Sequence, residues 1–85
     1  MQLILYGKAD CHLCDRLAEL VAGHLDEVRR RIPGGDATVI KRDISDNPTW
    51  AQRYRNRIPV LTVGDDVILE GRPEPDEVAW ALRQL

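Results

Sequence analysis

The sequence predicts one α/β domain, a four-stranded mixed sheet flanked by helices. Strand and helix patterns alternate along the chain in the order β-α-β-α-β-β-α, with no internal repeat, linker or low-complexity segment between them. The 85 residues are too few for two domains, so the predicted domain is residues 1–85. A domain of this size has a thin core, and an active site must therefore lie at its surface.

The first two strands are predicted from short apolar or β-branched runs. Leu3-Ile4-Leu5-Tyr6 is a continuous apolar run closed by Gly7, which is typical of a central strand buried on both faces. Residues 37–44 are β-branched in their first half and indicate the second strand. Because a helix separates the two strands, we expect them to be parallel in a right-handed βαβ unit.

One continuous helix is predicted between these strands. Apolar residues recur at steps of three and four from Cys14 to Ile32, the period of an amphipathic helix. Asp10 is the expected N-cap, and Pro33-Gly34-Gly35 is expected to end the helix. Gly23 lies inside the pattern at a cost of up to ~1 kcal/mol relative to alanine, so a bend or close packing is an option there.

A short helix and a β-hairpin follow. Ser45-Asp46-Asn47-Pro48 places a cap before a proline at the first helical position, and this helix is expected to end near Arg57. The apolar runs 58–63 and 67–70 are joined by Gly64-Asp65-Asp66, which indicates an antiparallel hairpin.

The chain is predicted to close with a helix. Pro75-Asp76-Glu77 opens it with acidic residues in the first turn, where the helix dipole favours them. Its buried stripe is expected to consist of Val78, Leu82 and Leu85, with Trp80 outside the stripe.

The charge balance and the length of the apolar runs argue against a nucleic-acid-binding protein and against a membrane protein. Lys plus Arg number 12 and Asp plus Glu 14, a net charge of −2, which argues against a nucleic-acid partner. The arginine groups Arg29-Arg30-Arg31 and Arg53, Arg55 and Arg57 are expected to be solvated faces or helix ends. The first apolar stretch is far shorter than a signal or membrane-spanning segment, so we expect a cytoplasmic protein with no membrane partner.

The only two cysteines, Cys11 and Cys14, point to redox chemistry. In a reducing cytosol such a pair is more often redox-active or metal-binding than a static disulfide. Cys11 follows a strand and begins a helix, where free backbone N–H groups and the helix dipole stabilise a thiolate. Lys8 adds positive charge, as would His12 when protonated. Cys14 begins the apolar stripe and is therefore the deeper, resolving thiol.

Other uses of the pair remain open at this point. Structural zinc normally takes four ligands. Beyond the Cys11-His12-Leu13-Cys14 cluster the only remaining histidine is the distant His24, so zinc binding by a single chain is disfavoured. An inert structural pair is disfavoured by a helix start next to a lysine.

For Ile58-Pro59, composition alone predicts a trans peptide bond.

Taken together, the motifs resemble a known family. The pattern Tyr6-x-Lys8-x-x-Cys11-x-x-Cys14, the strand Ile58-Pro59-Val60-Leu61 and the later Gly71 resemble the glutaredoxin family of the thioredoxin fold over nearly the whole chain. The likeness is greatest to small bacterial glutaredoxin-like proteins. It implies that Cys11 is the nucleophile and Cys14 the resolving cysteine. It also implies a cis Ile58–Pro59 bond facing the cysteines, with the Ile58 backbone pairing with an extended substrate.

The resemblance also concerns glutathione. It implies that Lys8, with Arg53 or Arg57, contacts the glutathione carboxylates. His12 and Leu13 stand where the family has Pro and Tyr, the tyrosine being the one that flanks the glutathione groove. Gly71-Arg72-Pro73-Glu74 stands where the family has the Gly-Gly-x-Asp pattern that holds the glutathione N-terminal end.

The sequence therefore predicts a monomeric thiol–disulfide oxidoreductase of glutaredoxin type, acting on disulfide-containing proteins or glutathione mixed disulfides. No prosthetic group or metal is expected, and glutathione is a candidate co-substrate. The alternatives are a carrier of an iron–sulfur cluster or metal held between two chains, and a degenerate redoxin that binds partners without turnover. The predicted catalytic residues are Cys11 and Cys14, and the predicted substrate-binding residues are Lys8, His12, Leu13, Ile58, Pro59, Gly71 and Arg57.

Overall fold

The chain folds into four strands and four α-helices, and the computed structural model describes residues 1–85. The strands are β1 (Gln2–Gly7), β2 (Thr38–Asp43), β3 (Val60–Val63) and β4 (Asp66–Glu70). The helices are α1 (His12–Ala22), α2 (Leu25–Arg31), α3 (Pro48–Tyr54) and α4 (Pro75–Arg83). Short 3₁₀ turns lie at Pro33–Gly35 and Ile44–Asp46.

The strands form one mixed sheet in the order β2-β1-β3-β4. β1 runs parallel to β2 and antiparallel to β3, and β3 pairs antiparallel with β4. The predicted parallel pair and the predicted hairpin are both confirmed. β3 begins at Val60 rather than Ile58, because Pro59 has no N–H and the Ile58 N–H is donated to the Tyr54 carbonyl at 3.1 Å.

The prediction of one continuous helix up to Ile32 is wrong. α1 ends at Ala22, with Gly23 as its C-cap, and α2 begins at Leu25. Between them His24 has a ψ of −2°, which interrupts the regular helical path. Glycine has the highest intrinsic cost in a helix of any residue except proline, which favours ending α1 at Gly23. The apolar period continues through this position and alone gives no sign of the break. The separate helix α2 buries Val28.

The sheet has an apolar cluster on each face, because side chains alternate along a strand. On β1, Leu3 and Leu5 belong to a cluster of 11 buried residues that α1, α2 and α4 complete. Tyr6 belongs to a cluster of 4 on the opposite face, which α3 covers. No helix here could span a bilayer: the longest, α1, has 11 residues, whereas a span takes about 20.

The predicted buried stripe of α4 is confirmed, and its side chains pack in the larger cluster. Val78 and Leu82 are at most 1% exposed, and Leu85 packs against the larger cluster while partly buried. Trp80 is 65% exposed and lies outside the stripe, as predicted.

Candidate active site

Four residues form a row across one end of the sheet, below the start of α1. Gly7 pairs with Asp43 at the end of β1 and β2. One step beyond the last β1–β3 pair, which ends at Val60, the register places Pro59 beside Gly7. The Gly71 N–H donates to the Pro59 carbonyl at 2.8 Å and extends the row to β4. We call Asp43, Gly7, Pro59 and Gly71 the end row.

Cys14 lies directly on Gly7 of this row. A methyl group added at Gly7 would lie 3.0 Å from the Cys14 Sγ and 3.2 Å from its Cβ, which is tighter than most Cβ contacts in proteins. The lack of a side chain at Gly7 therefore lets the first turn of α1 approach the sheet. From the sequence, Gly7 is expected only to close β1, so this contact is a residue role that the pattern did not reveal. Cys14 is 7% exposed, the deeper of the two cysteines, as predicted.

Cys11, rather than Asp10, is the N-cap of α1. Asp10 has a φ of 55°, a left-handed conformation that excludes it from the cap position. Cys11 is extended, and its Sγ accepts the Cys14 N–H at 3.2 Å. The two cysteines are joined in a disulfide with a Cα–Cα separation of 5.2 Å. Once that bond is reduced, the free N–H groups of the helix start would stabilise a Cys11 thiolate, by hydrogen bonding and by the helix dipole.

A surface cleft of about 290 Å³ lies beside Cys14 on the β2 side of the site. Its lining combines three cations with three carboxylates: Lys8, Lys41 and Arg42 with Asp15, Asp43 and Asp46. The Ser45 hydroxyl donates to Asp43 at 2.7 Å and the Ser45 N–H at 2.9 Å. These hydrogen bonds, with a smaller contribution from the Ala9 N–H, lower the pKa of the Asp43 carboxyl. The predicted substrate-binding Lys8 thus lies among charged groups of both signs on this side.

Four further predicted site residues are His12, Leu13, Ile58 and Pro59. His12 and Leu13 lie exposed in the first turn of α1, Leu13 at 39% exposure. Pro59 is fully buried in the end row. The Ile58–Pro59 bond is cis, as the resemblance implied and against the trans form that composition alone predicts. The Ile58 N–H is donated within the chain, whereas its carbonyl accepts no hydrogen bond.

Arg57 is not a free cation. Its Nε donates to a Glu70 carboxylate oxygen at 2.9 Å and a second guanidinium nitrogen to the other oxygen at 3.2 Å. The guanidinium also lies over the Tyr54 ring, 5.5 Å from its centroid. The Glu70 hydrogen bonds raise the pKa of Arg57, and the same contact lowers the pKa of Glu70.

An aromatic cluster holds α3 against the sheet and so positions the Ile58-Pro59 segment that follows. The Tyr6 ring lies 4.6 Å from the Tyr54 ring and 5.7 Å from the Trp50 ring, centroid to centroid. The Arg42 guanidinium covers Trp50 at 4.8 Å and donates to the Tyr6 hydroxyl at 3.1 Å. No local pattern in the sequence indicates the stacked arginine.

Arg16 is a second residue that sequence reasoning missed. It lies on α1, two positions after Cys14, and donates to the Pro73 carbonyl at 2.6 Å. This contact fastens the loop after β4 to the helix that carries both cysteines. No local pattern could reveal it, because the partners are 57 positions apart.

The chain contains no group of three or more His, Cys, Asp or Glu side chains placed to hold a metal ion. The arrangement it does contain is a cysteine pair with one sulfur at a helix start and one buried on a glycine. That arrangement is suited to thiol–disulfide exchange, in which an accessible thiolate attacks and a second thiol resolves the intermediate.

Comparisons with known proteins agree with this geometry. A family model described as a glutaredoxin-like domain (DUF836) matches residues 2–83. The fold is similar to that of the Northeast Structural Genomics target protein XcR50 from X. campestris, with a TM-score of 0.72 and 25% identity over 98% of this chain and 97% of that one. A malarial protein is similar in fold alone, with a TM-score of 0.58 and 11% identity over 98% of this chain and 93% of that chain. The sheet order and these likenesses identify a thioredoxin-like fold.

Proposed function

This chain belongs to the family of glutaredoxin-like domains (DUF836), and from that premise we propose that it is a thiol–disulfide oxidoreductase. The observation that carries the proposal is the Cys11–Cys14 pair, within disulfide distance at the start of α1. Cys11 acts as the nucleophile because it is the less buried sulfur and caps the helix. Cys14 acts as the resolving thiol because it is buried on Gly7.

The reaction proceeds in two exchanges. The Cys11 thiolate attacks one sulfur of a substrate disulfide, the substrate S–S bond breaks, and the other substrate sulfur leaves as a thiolate. Cys14, after losing its proton to water, then attacks the Cys11 sulfur, forms the Cys11–Cys14 disulfide and releases the second substrate thiolate. Two electrons pass from the dithiol to the substrate, whose thiolates take up protons from water. An external thiol of the reducing cytoplasm, where we place the protein, restores the dithiol.

Two single substitutions test this mechanism. Cys11→Ser is expected to reduce the rate of disulfide reduction to that of the buffer, because no attacking thiolate remains. Cys14→Ser is expected to stop after the first exchange and to retain the substrate as a mixed disulfide on Cys11, visible as added mass. The double variant Cys11→Ser/Cys14→Ser provides the blank. Full activity in Cys11→Ser would refute the proposal.

A further inference from the structure

The loop from Gly71 to Glu74 is held against the end row and against α1, the helix that Cys11 caps. Gly71 is part of the end row, hydrogen-bonded to Pro59, and Arg16 fastens the Pro73 carbonyl to α1. Chemical groups offered by this loop therefore help to decide which disulfides bind beside Cys11.

Most of the backbone N–H groups of this loop are unavailable to a ligand. The Gly71 N–H is donated to Pro59 at 2.8 Å, and the Glu74 N–H to the Glu77 carboxylate at 3.1 Å. Pro73 carries no N–H. Loops that bind carboxylates do so with several converging N–H groups, and here only one remains, on Arg72.

Two cations near the site, Arg57 and Arg16, are already engaged within the chain. Arg57 is held by two hydrogen bonds to Glu70, and Arg16 by the Pro73 carbonyl. Lys8 makes no ion pair and lies in the cleft on the β2 side, where it and two further cations are balanced by three carboxylates. Glutathione carries two carboxylates and one ammonium group, so binding it at a surface requires charge-assisted hydrogen bonds of the kind that Arg57 already makes with Glu70.

The same surface offers what a polypeptide can use. The Ile58 carbonyl accepts no hydrogen bond and can receive a backbone N–H from an extended chain, as in strand addition. Leu13, 39% exposed in the first turn of α1, offers apolar surface to a neighbouring side chain. We propose that this site selects disulfides carried by polypeptides over glutathione disulfide, an inference that rests on the proposed oxidoreductase function.

The test compares two disulfides of known structure. The domain, reduced and freed of reductant, is mixed with an excess of either glutathione disulfide or the disulfide-linked dimer of a short uncharged peptide with one cysteine. Formation of the Cys11–Cys14 disulfide is followed by rapid quenching and alkylation. Each rate is divided by the rate of the same disulfide with dithiothreitol, which has no binding surface. We expect the normalised rate with the peptide to exceed that with glutathione by about tenfold or more.

A matched pair of surface variants locates the contact. Leu13→Ser is expected to lower the peptide rate several-fold. Val67→Ser removes a side chain of nearly equal exposure, 38%, on the hairpin, and is expected to leave that rate unchanged. A normalised rate with glutathione disulfide that equals or exceeds the peptide rate would overturn the inference, as would an unchanged peptide rate in Leu13→Ser. If neither disulfide reacts faster than it does with dithiothreitol, the proposed function itself fails.

Discussion

At the scale of single residues, the site depends on the absence of a side chain as much as on the two sulfurs. Cys14 can be both buried and in reach of Cys11 because Gly7 leaves room for its sulfur. Protein interiors are packed densely enough that one extra methyl group at such a contact must displace something. The backbone of β1 and the first turn of α1 are both held by hydrogen bonds, so the Cys14 side chain is the group expected to move.

Gly7→Ala is therefore expected to impair the second exchange step. The added Cβ would lie 3.0 Å from the Cys14 Sγ, so the resolving thiol is displaced and the mixed disulfide on Cys11 accumulates. Overpacking of this kind costs ~1–3 kcal/mol of folding stability. The measurements are the fraction of trapped intermediate by mass spectrometry and the urea midpoint. Gly23→Ala is the control, because its Cβ meets the Leu20 carbonyl at an ordinary 3.5 Å. Equal behaviour of the two variants would show that Gly7 has no such role.

Local sequence signals were sufficient for the cysteines but not for their surroundings. The spacing of Cys11 and Cys14, next to a strand and a helical period, is contained in adjacent residues. The fit of Cys14 on Gly7 depends on how closely α1 approaches β1, which no local pattern states. Arg57 is expected from the sequence to be available for a ligand, but closure of the hairpin brings Glu70 to it.

At the scale of elements, the Arg57–Glu70 pair links the segment after α3 to the last residue of β4. The segment between them contains the cis-proline of the end row, so the pair closes the loop that carries Pro59. It is exposed, and pairs of this kind contribute little in absolute terms. Its contribution depends on pH in a direction that the structure fixes.

Glu70→Gln is expected to flatten the acid side of the stability profile. The pKa of Glu70 is lower in the folded chain than its ordinary value of 4.5, so the carboxylate stabilises the fold above pH 4.5. That contribution is lost as the pH falls through the folded value. Wild type and variant should therefore differ in urea midpoint at neutral pH and converge in acid, with the difference reduced by salt. Arg57→Gln should reproduce the effect. A difference that persists unchanged into acid would contradict the ion-pair explanation.

The start of α3 is an element boundary that adjacent residues predict correctly. Asn47 before Pro48 predicted the start of α3, and its side chain accepts the N–H groups of Thr49 and Trp50. At Gly23 the sequence offers a bend or close packing but not two separate helices, because the apolar positions continue on the same period through Leu25 and Val28. Only the packing of α2 as a separate helix decides between a bend and a break there.

At the scale of the molecule, most of the buried apolar side chains lie on one face of the sheet. The cluster of 11 buried residues lies between the sheet and α1, α2 and α4, whereas the cluster of 4 lies under α3 alone. The larger cluster is closed by contacts distant in sequence: Arg31 donates to the carbonyls of Leu82 and Arg83 at 2.8 and 2.7 Å. The C-terminal helix is thus part of the core that supports α1, and with it the cysteine pair.

Neighbouring positions on α4 should therefore differ sharply when truncated. Leu82 is 1% exposed within the larger cluster, so Leu82→Ala is expected to cost ~2–5 kcal/mol of unfolding free energy by loss of burial and creation of a cavity. Trp80 lies on the same helix and is 65% exposed. Trp80→Ala removes more atoms than Leu82→Ala, but it should lower the free energy of unfolding by no more than ~0.5 kcal/mol. Urea unfolding of both variants measures the contrast. Because the free energy of unfolding of a domain is only ~5–15 kcal/mol, Leu82→Ala should also lower the proposed oxidoreductase activity at elevated temperature. A larger loss of stability in Trp80→Ala than in Leu82→Ala would mean that α4 packs by its other face.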